Sequence, residues 1–129
     1  MEPKASGEYV RSGLKPELAQ LYHRKLLDYM SARKPYLEPK LSLGHLADEL
    51  DISANHLSQV INQYEGKNFF DFVNTYRVDE FKQRIAQPAN SSYSILAIAL
   101  DSGFNSKSSF NQVFKKVTGK TPSQYVSEA

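Results

Sequence analysis

The chain has 129 residues with 16 Lys+Arg, 14 Asp+Glu, three His, no Cys and no Trp, which suits one domain or two very small ones sharing a core. Its 40% hydrophobic, 12% aromatic and 23% charged content is that of an ordinary globular chain, and the lack of Cys excludes a disulfide framework, thiolate catalysis and any zinc site built on sulfur. The longest apolar run, Ile95 to Leu100, is far short of the ~20 residues a membrane span requires, and a net charge of +2 is too small by itself to argue for nucleic acid.

Residues 1–13 contain Pro, Ser and two Gly without periodicity, and the stretch 1–15 reads as a flexible leader. Its start, MEPKASGEYV, lacks the basic and apolar regions of a secretion signal, so the Asn90-Ser91-Ser92 sequon is expected to stay unglycosylated. From Pro16 to Arg33 the apolar residues Leu18, Tyr22, Leu26, Tyr29 and Met30 recur at helical spacing, with Pro16 suited to the first turn. Lys34-Pro35 and Glu38-Pro39 cannot continue that helix, because proline lacks an N–H and biases its predecessor towards extended geometry. Residues 16–40 are therefore expected to be one helix and a proline-containing connector.

Ser42 can cap a helix over 43–50 that buries Leu43, Leu46, Ala47 and Leu50; Asp51-Ile52 interrupts it, and Ser53 caps a second helix striped by Leu57, Val60, Ile61 and Tyr64. Gly66 ends it, completing a helix-turn-helix outline over 41–66. A longer helix over 68–86 follows, with Phe69, Phe72, Val73, Tyr76, Phe81 and Ile85 at helical spacing; at ~1.5 Å per residue it spans roughly 28 Å. After a loop over 87–92 the outline returns over 93–118. Ile95–Leu100 forms the first helix, Asp101-Ser102-Gly103 the turn, and Ser106 caps a helix carrying Phe110, Val113, Phe114 and Val117. Gly119 closes it, and Thr121-Pro122 opens a last helix over 121–127. No strand-like alternation is present, so the expected class is all-α, two helix-turn-helix subdomains joined by a long linker helix.

The duplication can be read residue by residue. Ala47 matches Ala99 and Ile52 matches Phe104 at an offset of 52, and Leu57 matches Phe110 and Ile61 matches Phe114 at an offset of 53. Each copy places a small residue where the second helix must cross closely and an apolar residue to plug the corner. The charge is divided between the copies. Residues 41–66 carry Asp48, Glu49, Asp51 and Glu65 without Lys or Arg, whereas residues 102–127 carry Lys107, Lys115, Lys116 and Lys120 without an acid.

Enzyme signatures fail on inspection. Gly119-Lys120-Thr121 resembles the end of a phosphate loop, but the glycine required five residues earlier is Phe114. His23, His45 and His56 have no spacing that converges on a metal, and no nucleophile elbow or paired catalytic carboxylates are evident. The chain is thus expected to be no enzyme and to need no metal or cofactor, its histidines being surface or partly packed residues. The second helix of each pair is more informative. With Leu57, Val60 and Ile61 turned inward, Asn55, Ser58, Gln59 and Asn62 form a stripe on the other face; with Phe110, Val113, Phe114 and Val117 inward, Lys107, Ser108, Asn111, Gln112 and Lys115 face out. Amides offer a donor and an acceptor together to adenine in the major groove, and hydroxyls bond several base edges. A generic polar exterior explains either face singly, but explains two coincident amide-rich faces less well.

Leu46-Ala47, Ile52-Ser53 and Leu57-Ser58, then Asn74-x-Tyr76-Arg77, Ile98-Ala99, Gly103-Phe104-x-Ser106, Phe110, Phe114-Lys115-Lys116 and Gly119-x-Thr121-Pro122-x-x-Tyr125 resemble the DNA-binding domain of AraC/XylS-type bacterial transcription regulators over residues 41–127. Three positions depart from that pattern: Asp51 where Gly is usual, Phe81 where a small residue is common, and Val126 where Arg often follows the tyrosine. The resemblance implies about seven helices, with both second helices in successive major grooves, which recur on one face every ~34 Å. It puts base reading on Asn55, Ser58 and Gln59, and on Lys107, Ser108, Asn111 and Gln112, with Asn62 added by the stripe. Phosphate contacts fall to the helix starts at Ser53 and Ser106 and to Lys115, Lys116 and Lys120. Arg77 reads either as a tie between the linker helix and a subdomain, the preferred reading, or as a DNA contact. The expected partners are double-stranded DNA, RNA polymerase and a sensor or dimerisation domain on the N-terminal side, in the cytoplasm or tethered to a membrane through that region. A helical adaptor that uses the duplicated units to hold RNA polymerase or a sensor domain, with the first helix as a candidate contact, is the alternative.

Overall fold

The computed structural model describes residues 13–129; residues 1–12 of the expected leader lie outside the described residues. Among the described residues, seven α-helices run in the order α1 (Pro16–Arg33), α2 (Leu43–Leu50), α3 (Ala54–Glu65), α4 (Phe69–Ile85), α5 (Ile95–Asp101), α6 (Lys107–Thr118) and α7 (Pro122–Glu128). Single 3-10 turns occupy Pro35–Leu37 and Pro88–Asn90, and there is no strand among the described residues. The class is all-α, with two helix-turn-helix subdomains, α2–α3 and α5–α6, joined by α4.

Local chemistry sets where these helices start and stop. The Ser42, Ser53, Ser94 and Ser106 hydroxyls accept from the N–H groups of His45, Ser53's third follower His56, Ala97 and Ser109 at 3.0 to 3.1 Å. Asn68 does the same for Asp71 at 2.8 Å. Thr121 and Gln124 exchange both bonds of a capping box, with Pro122 in the first turn. Each such cap satisfies a donor the helix cannot satisfy itself and contributes about 1 kcal/mol. At the other ends the chain turns left-handed at Lys34 (φ 48°), Gly66 (φ 67°) and Gly119 (φ 80°).

The described residues divide into two compact units. One comprises the chain up to Pro35 with Leu41–Phe72, the other Tyr36–Lys40 with Val73–Ala129, so α4 gives its first turn to one and the rest to the other. In the first unit α1 buries Ala19, Leu26 and Met30, α2 buries Leu46, Ala47 and Leu50, and α3 buries Leu57, Val60 and Ile61. Leu14, in the stretch read as leader, is buried against Ala19 and Val60, with Leu18, Tyr22 and Tyr64 packed around them. The Lys25 ammonium donates to the carbonyl of Leu50 and the Tyr29 hydroxyl to Glu49 at 2.6 Å, tying α1 to the end of α2. Ala19, Leu26 and Met30 are thereby used within the unit, while Leu21 stays exposed.

The second unit has an aromatic centre. Val78, Phe81, Ile98, Ala99, Phe104, Phe110 and Phe114 are all buried in one cluster. Phe81 stands where the related pattern favours a small residue, and its ring lies 4.9 Å from that of Phe110 and 5.4 Å from that of Phe114. Tyr125 closes one side at 5.4 Å from Phe114 and carries the Lys82 ammonium 5.5 Å above its face. One expectation fails here. Val117 is 43% exposed, although it shares the inward face of α6, because it sits in the last turn, beyond Phe114 where the core ends. Val113 is only half-buried.

Since Phe81 fills the space at the junction of α4 and α6, Phe81→Ala should lower the unfolding free energy by about 3–5 kcal/mol. Urea titration followed by far-ultraviolet circular dichroism measures this, with a loss under ~1 kcal/mol showing that the ring is dispensable.

Candidate nucleic-acid interface

The two turns that aim the second helices are built alike. In the first, the N–H groups of Asp51 and Ile52 donate to the carbonyls of Asp48 and Ala47, both at 3.1 Å. In the second, at the offset of 52, Gly103 donates to Leu100 at 3.1 Å and Phe104 to Ala99 at 3.2 Å. The residue in the left-handed region is Asp51 (φ 58°) in one and Gly103 (φ 105°) in the other. Ala47 and Ala99 are buried, as are the matched pairs Leu57 with Phe110 and Ile61 with Phe114; the corner plugs differ, Ile52 being half-buried and Phe104 fully buried.

These turns leave Asn55, Ser58 and Asn62 exposed on α3, and Lys107, Ser108, Asn111, Gln112, Lys115 and Lys116 exposed on α6, each set on one helix of one unit. Gln59 is the exception. It is 8% exposed and does not belong to an open stripe. It adjoins Val60, whose side of α3 is covered by Leu14 and Ala19 from outside the two-helix motif. The cap residues Ser53 and Ser106 are exposed, each using its hydroxyl on the third N–H of its helix. An anion there would meet the remaining N–H groups and the positive end of the helix dipole.

The electrostatics of the two helices differ. The one acid of α3, Glu65, lies in the last turn, where its carboxylate meets His23 Nε2 at 2.6 Å while the His23 ring stacks on Tyr64 at 4.6 Å. His56, in the first turn of α3, has Tyr22 as a ring neighbour at 6.4 Å. The sequence of α6 includes Lys107, Lys115 and Lys116 and no acidic residue. Lys120, just beyond, is ion-paired with Glu128; both side chains are about half exposed, and such a surface pair contributes little. Beside the base of α6 opens a recess of about 350 Å³ in which Lys107 and Asn111 are joined by Ser94, Ile95, Leu96, Phe110, Pro122 and Ser123. Ser94 and Ser123 are additions to the sequence reading; their only signal was position, one capping α5 and one following Thr121-Pro122.

Arg77 is committed elsewhere. Its Nε donates to the carbonyl of Tyr36 at 2.7 Å, Nη2 to that of Glu38 at 2.9 Å and Nη1 to the Asn74 side chain at 3.0 Å. Burial pulls its pKa below the ordinary arginine value, opposed by the nearby Glu38 carboxylate. The tie is therefore real, and it holds the connector rather than a helix-turn-helix motif. No cluster of three or more His, Cys, Asp or Glu that could hold a metal ion exists among the described residues, and none of their helices is long and apolar enough to cross a membrane.

Two helix-turn-helix motifs joined in sequence by a linker helix define a double helix-turn-helix protein. A family model described as a helix-turn-helix domain matches residues 46–128, and the chain belongs to this AraC-type helix-turn-helix family. It is 36% identical over 85 residues to an uncharacterized HTH-type transcriptional regulator of Staphylococcus aureus, an alignment covering 66% of this chain and 11% of that protein. Among solved structures, a Listeria innocua protein of unknown function is 30% identical with a TM-score of 0.68, covering 81% of this chain and 94% of that one. An AraC-type transcriptional regulator from Chromobacterium violaceum shares the fold, with a TM-score of 0.70, 22% identity, and coverage of 85% and 93%. The chain thus spans about a ninth of the staphylococcal relative it matches.

Asp51 carries the left-handed turn at a steric cost that glycine would not incur, partly offset by the greater freedom of an unfolded glycine. Asp51→Gly should therefore raise stability slightly, by ~0.5 kcal/mol, in thermal unfolding; a drop of ~1 kcal/mol or more would mean that the Asp side chain stabilises the turn.

Proposed function

We propose that this chain is the sequence-specific, double-stranded-DNA-binding domain of a bacterial transcription regulator, with α3 and α6 entering successive major grooves. What supports the reading is the recurrence of an amide- and hydroxyl-bearing face at equivalent places of two copies of one motif, within a family of transcription-regulator DNA-binding domains. Asn55, Ser58 and Asn62 read bases in one box, and Lys107, Ser108, Asn111 and Gln112 in the other. Gln59, being buried, is assigned to holding α3. The helix starts at Ser53 and Ser106, with Lys115, Lys116 and Lys120, meet phosphates. The domain works in the cytoplasm, and in the intact protein a sensing or dimerising region and contact with RNA polymerase complete the regulator. On α1, the candidate contact of the adaptor reading, Ala19, Leu26 and Met30 are buried and Leu21 is exposed, which leaves little apolar surface for a protein partner there.

Because α3 bears no cation and α6 bears three, the second motif supplies most of the salt-sensitive affinity. Replacing both Lys115 and Lys116 by Ala should weaken binding to all duplexes alike and flatten the plot of log affinity against log salt by about 2. Fluorescence anisotropy over a salt series measures this; an unchanged slope would remove both lysines from the phosphate assignment. Asn111→Ala, by contrast, should relax preference at a base pair by about tenfold while leaving the slope intact, as read by selecting bound duplexes from a random pool.

A further inference from the structure

The two turns share their hydrogen bonds but not their surroundings. Asp51 is exposed, whereas Gly103 is buried. A Cβ on Gly103 would lie 2.1 Å from the carbonyl oxygen of Tyr36, 2.9 Å from Arg77 Nε and 3.1 Å from the Cα of Leu37. Two of those atoms are main chain and cannot rotate away. The second turn thus rests directly on the backbone of Tyr36–Leu37, a segment that precedes both motifs in the chain.

That segment is itself fixed. The Arg77 guanidinium bridges the carbonyls of Tyr36 and Glu38 and is oriented by Asn74. The buried Tyr36 ring packs 5.4 Å from Tyr76, and its hydroxyl donates at 3.1 Å to Glu80, a buried carboxylate that also accepts from Arg84 at 2.8 Å. Phe104 follows Gly103 into the core, and α6 starts at Lys107. Any shift of the segment must move the turn, and with it the end of α6 that carries Lys107, Ser108 and Asn111.

We infer that residues 36–40, held by Arg77 and seated against Gly103, are a positioning element for the second recognition helix, and that they tune base preference in the α6 box alone. This rests on the DNA-binding reading above. Arg77→Lys tests it, since an ammonium keeps the charge but cannot bridge two carbonyls with a planar fork. The full chain is used to select duplexes from a random pool, and Asn111→Ala marks which box α6 reads. Arg77→Lys should lower preference in that box by about tenfold and leave the α3 box unchanged, with helical content retained by circular dichroism. Asn74→Ala, which frees only Nη1, should give a smaller loss confined to the same box, and it carries the test if Arg77→Lys does not fold. Equal losses in both boxes, or an unaltered profile in the folded variants, would overturn the inference while leaving the DNA-binding reading intact. A wild-type chain that enriches no duplex would overturn the reading itself, and the inference with it.

Discussion

The close crossing of two short helices at an alanine is the constraint on which the molecule depends. Helices of seven and eight residues such as α5 and α2 do not persist alone in water; they hold only against a partner helix. At the matched place in each first helix stands a buried alanine, Ala47 or Ala99, whose single methyl leaves room for a partner helix. The same two residues offer the carbonyls that receive the N–H groups of Ile52 and Phe104 and so close the turns. A larger side chain would both separate the helices and rotate the second one. The direction in which Asn55 and Ser58, or Lys107 and Asn111, leave the protein is therefore fixed by a residue that could touch no ligand.

On the proposed DNA-binding reading, the two copies divide the work of binding unequally. A face of amides and hydroxyls can discriminate base edges but attracts a polyanion weakly, and the first motif has no cation on its outward side. Lysines on α6 bring the electrostatic attraction. On that reading, joining the two through the continuous helix α4 makes the second encounter intramolecular, so a weak reader gains from a strong neighbour without any new contact.

Much of this was legible in the residues because helix boundaries here are written in local chemistry. Ser, Asn or Thr caps, prolines and left-handed glycines act within four residues, and each cap named from Ser42 to Thr121 engages its third N–H neighbour. What escaped was decided by distant chain. Gln59 lies well round the helix from Leu57, so periodicity exposes it, yet it is buried beside Val60, whose side of α3 packs with Leu14 and Ala19 from outside the motif. Val117 has the right phase on α6, but phase does not say where the core ends. The acceptors of Arg77 are main-chain carbonyls 41 and 39 residues earlier, which no pattern of side chains reveals.

Asp51 and Gly103 show how duplicated motifs diverge according to what packs on them. Both positions need a left-handed backbone, and a short polar residue tolerates this at a modest cost where it faces water. In the second copy the outer side of the turn is occupied by Tyr36 and Leu37, so the missing Cβ is a requirement of space as well as of φ. The corner plug follows suit. Ile52 is half-buried, whereas Phe104 is wholly enclosed, its ring tilted 5.1 Å from that of Phe110, itself beside Phe81 and Phe114. The large Phe81 is then not an isolated oddity, since a rigid aromatic cluster gives the turn and its supporting segment a firm base. The second motif is pinned on both sides of its turn, by aromatic rings within and the connector without, and this is the motif that also carries the lysines.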